Sequence, residues 1–496
     1  MSPRPAPAEF DVTDGPWDLV VIGGGTAGIV SAKTAVGLGA RVLMVERDRF
    51  GGDCLWTGCV PSKALLGAAH LAADARDAAR FGVHADQLRI DFRAVMTYVH
   101  DTIEAIEPDD SPEAMTEAGV HVAYGTARFT GPDTVLVGGD VVRFRQALIA
   151  TGSAPILPPV PGLTEAEPWT SDTIWDIKEL PDRLVVLGGG SIGCELGQAF
   201  ARLGAQVTIV EGADRLLPRE DVDAARILTS QLADDGVAIR TGAQAVAVTT
   251  GADDIDEGDE RADEGSLRLD DGTVLEYDEL LVAVGRRPRT ADLGLERVDV
   301  RVDDRGYVAV NRRLQTSNPR IWAAGDVTAF SQFTHTAGMH GSIAAGNAVL
   351  GLRRTIDEHG APRVTFTQPE VAAVGVTGDQ VSAHMTVETT HHDDVDRATA
   401  EGRTTGFSRL VLDRKGRVVG GTIVGPRAGE SLAEVVLATR LGLRTRDIAG
   451  ATHPYPTYSD GVWNASIAHV RSQLMRTPAR RVAAALSRGR RWWVSR

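Results

Sequence analysis

An α/β fold with two Rossmann-like nucleotide-binding domains and a separate C-terminal α+β domain is predicted by three observations. An apolar strand, Asp18–Ile22, runs straight into Gly23-Gly24-Gly25-Thr26-Ala27-Gly28 and an Ala/Val-rich helix, which is G-x-G-x-x-G in a strand–turn–helix setting. The unit recurs: Gly188, Gly190, Gly193 and Glu211 each lie 165 residues after Gly23, Gly25, Gly28 and Glu46. From about residue 362 the pattern changes to β-rich hairpins with a helix near Ser431–Leu443.

Each position in the repeated unit has a physical reason. Gly23 makes the tight turn, Gly25 lets a pyrophosphate approach the backbone, and Gly28 allows close helix–strand packing. The helix N-terminus turns its partial positive charge toward phosphate. Glu46 ends the next strand, Val42–Val45, where a carboxylate accepts from ribose hydroxyls. Leu38-Gly39-Ala40-Arg41-Val42 is echoed by Leu203-Gly204-Ala205-Gln206-Val207, so strand context repeats along with the glycines.

Between the units, residues 64–110 read as amphipathic helix. Residues 119–150 read as short strands with turns at Gly131-Pro132-Asp133 and Gly138-Gly139-Asp140. Ala150-Thr151-Gly152-Ser153 and the prolines up to Pro161 mark a domain crossing. The second unit ends near Gly285-Arg286-Arg287-Pro288, and its acidic run Asp253–Glu264 reads as a solvated excursion. Residues 306–350 return to strand, turn and helix around Ala323-Ala324-Gly325-Asp326.

Composition bounds the function. A chain of 496 residues has room for two to four domains, and its net charge of −15 disfavours nucleic acid as a partner. Three cysteines cannot build a disulfide framework, which fits a reducing, cytoplasmic setting. No metal-ligand cluster is read, and no apolar run approaches the roughly 18 residues of a membrane span. Residues 1–16 lack the order of a signal peptide and read as a disordered leader. Residues 477–496 form a tail with six arginines, no acids and Trp492-Trp493, opened by Thr477-Pro478 as N-cap and first helical residue.

Two of the three cysteines, Cys54 and Cys59, stand five positions apart in Gly51-Gly52-Asp53-Cys54-Leu55-Trp56-Thr57-Gly58-Cys59-Val60-Pro61-Ser62-Lys63. A regular helix would separate them by a rise of about 7.5 Å, whereas a disulfide needs Cα atoms roughly 4.4–6.8 Å apart. Closure therefore requires a bent or unwound backbone, which Gly51, Gly52 and Gly58 permit. The pattern reads as a reactive dithiol flanked by two nucleotide sites. Cys194, with no such surroundings, reads as an inert helix thiol.

With these motifs placed, residues 17–470 resemble the class I pyridine nucleotide–disulfide oxidoreductases, and within them the mercuric-reductase-like branch. The resemblance implies a homodimer in which 17–155 with 286–360 binds FAD, 156–285 binds the nicotinamide nucleotide, and 361–476 is a dimerisation domain. It implies that Gly23, Gly25, Gly28, Glu46, Gly52, Gly125, Thr151, Gly152, Ser153 and Asp326 hold FAD. Thr334 and Ala337 would line the flavin, and Gly188, Gly190, Gly193, Glu211 and Gly285 would hold the coenzyme. Cys54 matches the interchange thiol and Cys59 the charge-transfer thiol. Lys63 and Glu195 match an ion pair beside the flavin. Glu211 favours NADH over NADPH, because a carboxylate repels a 2′-phosphate; Arg215 and Arg219 nearby weigh the other way.

The resemblance breaks at the C-terminal acid–base motif. His453-Pro454-Tyr455-Pro456-Thr457-Tyr458-Ser459-Asp460 puts Tyr455 where the family's histidine stands, and Asp460 where its glutamate stands. His453 lies two residues earlier. A phenol with an ordinary pKa near 10 is a poor proton shuttle for a dithiol substrate, although it can donate a hydrogen bond or, as a phenolate, help bind a metal. The expectation is an NAD(P)H oxidoreductase passing electrons through FAD and Cys54–Cys59 to a metal ion, disulfide or other small acceptor. The alternatives are a dihydrolipoamide dehydrogenase or related disulfide reductase, and a flavin redox sensor or membrane-associated binding protein. The C-terminal cysteine pair of mercuric reductases is absent. Two readings of the tail stay open: a helix on the protein's own acidic surface or without order, and peripheral membrane contact through 477–496.

Overall fold

The computed structural model describes residues 11–85, 87–250, 265–476 and 479–495. Leader residues 1–10, the acidic run 253–264 and the Thr477-Pro478 helix start lie outside the described residues. Two compact units form: the chain up to Gly212 with Gly236–Glu358, and Ala213–Asp235 with the chain from His359 onward.

In the first unit, parallel strands Trp17–Ile22, Val42–Glu46, His121–Tyr124 and Asp140–Ile149 make the first sheet, with Ile321–Ala323 added beside Asp140–Ile149. The strand Trp17–Ile22 sits between Val42–Glu46 and Asp140–Ile149, so the chain leaves its carboxyl end at the point where the order reverses. Strands Ala127–Gly131 and Thr134–Val137 extend the sheet as antiparallel hairpins. Trp17 is fully buried and donates from Nε1 to Val12 O at 2.9 Å, and Val12 packs on the core, so residues 11–16 are held by the strand they precede.

The second sheet repeats the arrangement with parallel strands in the order Ala238–Thr241, Gln206–Glu211, Arg183–Leu187, Glu279–Val282, Trp169–Thr170. Helices Thr26–Gly37 and Ser191–Leu203 follow the two glycine turns. Helix Thr26–Gly37 packs on helix Thr334–Leu350 so closely that a Cβ at Gly341 would stand 2.4 Å from Ala27 O.

The second unit is an antiparallel five-stranded sheet, ordered Arg363–Thr365, Glu370–Gly375, Val418–Gly425, Phe407–Leu412, Thr386–His391. Helices Ala428–Leu441 and Asp460–Arg476 cover it with Leu432, Val435, Val462 and Ala465. Helix Val222–Asp234, expected within a 156–285 domain, belongs to this unit. Arg409 reaches Asp221 at 2.7 Å and Asp223 at 2.8 Å, a pairing no sequence pattern announces.

Candidate active site

The two glycine turns have matching geometry. A Cβ on Gly28 would lie 1.9 Å from Gly23 O, and one on Gly193 would lie 1.9 Å from Gly188 O, so only glycine admits these helix–strand approaches. Gly23 and Gly188 take φ values of +114° and +109°, where L side chains are strained. Glu46 Oε2 accepts from Gly24 N at 2.5 Å, and Glu211 Oε2 accepts from Gly189 N at 2.7 Å. A Cβ on Gly190 would meet nothing among the described residues within 4 Å, which leaves that face of the turn open.

A cavity of about 810 Å3 extends from the first turn. Gly23, Gly25 and Glu46 line one stretch of it, with Gly52 and Cys54 in the dithiol segment. Gly125, Thr151 and Gly152 line another, and Asp326, Thr334 and Ala337 complete it from the second half of the unit. Gly28 and Ser153 are not on the wall: Gly28 serves packing, and buried Ser153 donates from Oγ to Asp326 Oδ2 at 3.0 Å. Gly285, at φ +146°, also lies off the cavity and accepts from Ile156 N at 3.0 Å. Burial pushes the Asp326 carboxyl up, against the Ser153 bond and the Arg286 charge, which draw it down.

These residues fit FAD. Gly25, whose missing Cβ would meet only Gly52 Cα at 3.7 Å, leaves backbone open to a diphosphate, a largely buried carboxyl at Asp326 suits ribityl hydroxyls, and the volume suits a large ligand.

The dithiol segment is fastened to the first turn. Gly51 N donates to Gly24 O at 2.9 Å, and a Cβ on Gly52 would stand 2.6 Å from Gly25 Cα. Short helix Gly52–Trp56 ends, and helix Cys59–Asp77 begins only after Thr57 and Gly58 break the spiral. A Cβ at Gly58 would meet Asp53 O at 2.7 Å. That break sets the two free thiols near enough to act on each other's protonation.

The thiols differ sharply. The Cys54 hydrogen bond, contact with Thr334 Oγ1 at 3.2 Å and the Lys63 charge bring Cys59 down to about 6, against burial and Glu195. Cys54, half-buried on the cavity wall and holding the proton beside Cys59, is pushed far up. Lys63 Nζ meets Glu195 Oε2 at 2.8 Å, with the carboxylate nearly buried. Cys194 is buried, points its thiol at Gly189 O, and is pushed up by burial, which suits an inert group.

A cluster the sequence reading passed over flanks Cys54. Asp53 pairs with Arg286 and, at 3.1 Å, with Arg289; Asp172 meets the same two arginines at 3.1 and 3.3 Å. Arg286 Nε also donates to Ser153 Oγ at 2.8 Å, connecting Cys54's neighbour to Asp326. Trp175 Nε1 donates to Thr57 O at 2.9 Å and so ties down the break between the cysteines. Asp53, Arg286 and Thr57 all stood in quoted motifs, but their partners are remote in sequence.

Tyr455, His453 and Asp460 belong to the second unit. Tyr455 is exposed and donates from its hydroxyl to Asp396 Oδ2 at 2.6 Å; that carboxylate raises the phenol's pKa and disfavours the phenolate. His453 stacks on Trp463 and places Nε2 2.8 Å from Glu434 Oε1. Asp460 Oδ2 accepts from Thr457 N at 3.0 Å at the start of its helix.

Comparison with known proteins agrees with this architecture. The pyridine nucleotide-disulphide oxidoreductase family model matches residues 17–341, and the dimerisation domain of that family matches 361–466. The chain is similar to a mercuric reductase of Streptomyces lividans, 36% identical over 463 residues, covering 90% of this chain and 94% of the relative. It is also similar to a dihydrolipoyl dehydrogenase of Thermus scotoductus, 35% identical over 456 residues, covering 91% and 96%. Among solved structures, the Cu(II) complex of a HOCl-induced flavoprotein disulfide reductase from Escherichia coli superposes with a TM-score of 0.80 at 28% identity, covering 91% of this chain and 99% of that one. The chain therefore belongs to the class I pyridine nucleotide–disulfide oxidoreductases, FAD-dependent enzymes that use a pyridine nucleotide and carry a C-terminal dimerisation domain.

Proposed function

We propose that this enzyme oxidises NADH and delivers electrons through Cys59 and Cys54 to a soft metal ion or another small acceptor, and that dihydrolipoamide is not its substrate. The observation that carries this reading is the acceptor-side segment. Tyr455 stands in the histidine's place with its proton held by Asp396, and His453 is engaged by Glu434. Tyr455, whose phenol Asp396 holds protonated, does not supply the group titrating near neutrality that proton transfer with a dithiol substrate uses.

Residues 17–155 with 286–360 would hold FAD, and the Gly188–Gly193 turn with Glu211 would hold the coenzyme. Bound FAD supplies hydride acceptance from the nicotinamide and a two-electron path to a disulfide. The chain's own groups then divide the work. Reduction of the Cys54–Cys59 disulfide by two electrons needs only one proton at neutral pH, because Cys59 stays a thiolate while Cys54 takes the proton. Lys63 holds positive charge beside that thiolate, and Glu195 keeps the lysine in place. Cys54 presents the sulfur that meets the acceptor; soft metal ions favour thiolate ligands.

Glu211 supports NADH, since its carboxylate repels a 2′-phosphate. Arg215 already donates to Pro218 O at 3.0 Å and Glu220 O at 3.4 Å. A homodimer would be formed through 361–476. The test is an acceptor screen with NADH and NADPH over Hg(II), Cu(II), quinones and disulfides, repeated with Cys54→Ser. Turnover of a metal ion lost in the variant supports the reading; dihydrolipoamide as the preferred substrate overturns it.

A further inference from the structure

Helix Ala479–Val494 separates two kinds of side chain. At 3.6 residues per turn, Val482, Leu486 and Trp493 fall within roughly 40° of one another, with Gly489 on the same face. Arg480, Arg488 and Arg491 lie opposite, and Arg490 borders the apolar face. The apolar face is open to solvent: Val482, Leu486 and Trp493 are 56%, 69% and 71% exposed. Among the described residues no helix is long and apolar enough to cross a membrane, and the arginines exclude burial of this one.

We infer that this helix is an interfacial anchor that lays Val482, Leu486 and Trp493 into the surface of a bilayer containing anionic lipid. The charge selects the partner. Residues 477–496 carry six arginines and no acid, in a chain whose net charge is −15. The acidic body is repelled by an anionic surface, so the contact is confined to this segment. Tryptophan suits the headgroup level, with an apolar ring and one N–H that seeks water or carbonyl oxygen. Arginines on the opposite and flanking positions keep the helix parallel to the surface. An enzyme held this way would work beside membrane-borne electron acceptors or metal entering the cell, whichever acceptor it uses.

The experiment is sedimentation of the full-length flavin-loaded enzyme with vesicles of phosphatidylcholine alone and of phosphatidylcholine mixed with phosphatidylglycerol. Binding is expected to the mixed vesicles, and to be released by raised salt. Leu486→Ser with Trp493→Ser should weaken it by about tenfold or more, and Arg488→Gln with Arg491→Gln by about tenfold or more as well, at roughly fivefold per arginine. NADH oxidation without vesicles should be unchanged in both variants, which shows the body is intact. Enzyme left in the supernatant with anionic vesicles overturns the inference. So does equal binding to neutral vesicles, or binding that both variants retain. If the helix instead rests on an acidic protein surface, Arg488→Gln with Arg491→Gln lowers Tm while vesicle binding is absent, which also overturns it.

Discussion

Lys63 and Glu195 push the Cys59 thiol in opposite directions, so neutralising each should shift its titration with opposite sign. Lys63 follows Cys59 by one turn of the same helix, which places its charge roughly 6 Å away. At an effective dielectric of about 20, a unit charge at that distance is worth about 3 kcal/mol, or about 2 pH units. Lys63 keeps 37% of its side chain in solvent and shares its field with Glu195, so roughly 1 unit remains. Lys63→Met should therefore raise the Cys59 pKa by about 1 unit, and Glu195→Gln should lower it by roughly half as much. The assay is the long-wavelength thiolate–flavin absorbance of anaerobically reduced enzyme, recorded against pH. That band disappears as pH falls through the Cys59 pKa, so Lys63→Met should lose it at higher pH than wild type and Glu195→Gln at lower pH. Shifts of the same sign in both variants, or a Lys63→Met band that survives to lower pH, would refute the electrostatic account.

Other expectations follow from separate contacts. Gly28→Ala would push a Cβ to 1.9 Å from Gly23 O and should cost more than about 3 kcal/mol, read as loss of Tm and of retained flavin. Gly190→Ala meets no such obstacle and, as an N-cap change, should cost about 1 kcal/mol or less while raising KM for NADH; a large Tm loss would show that the turn is structural only. Tyr455→His should raise dihydrolipoamide turnover by on the order of 10²-fold, and an unchanged rate would remove Tyr455 as the determinant. His392 is fully buried, and its pKa is depressed by burial from 6.5 to about 4. Between those values the unfolded chain binds the extra proton, so stability should fall by about 3 kcal/mol as pH drops from about 6.5 to about 4. Denaturant titrations should show this slope, and His392→Phe should flatten it.

Features set by local sterics were legible in the sequence. The 1.9 Å contacts at Gly28 and Gly193 forbid any side chain, so the duplicated unit is written residue by residue. The carboxylates at Glu46 and Glu211 recur at the same offset because each binds the turn it follows. The break between Cys54 and Cys59 could be anticipated because helix geometry alone separates them too far. What escaped is held by partners distant in sequence. Asp53 finds Arg286 and Arg289 across the unit, and Trp175 reaches back to Thr57. Helix Val222–Asp234 is drawn into the second unit beside Asp221 and Asp223, the partners of Arg409. The Tyr455 substitution was visible, but its protonation state depends on Asp396, a residue in no motif.

The most direct test of the dithiol relay is anaerobic titration of the flavin-loaded enzyme with NADH. A working relay predicts uptake beyond the first two electrons and growth of a long-wavelength thiolate–flavin band, abolished by Cys59→Ser. In Cys54→Ser the band should be present before any NADH is added. Flavin bleaching after two electrons with no such band in the wild-type enzyme would contradict the assignment of Cys54 and Cys59 as its electron path.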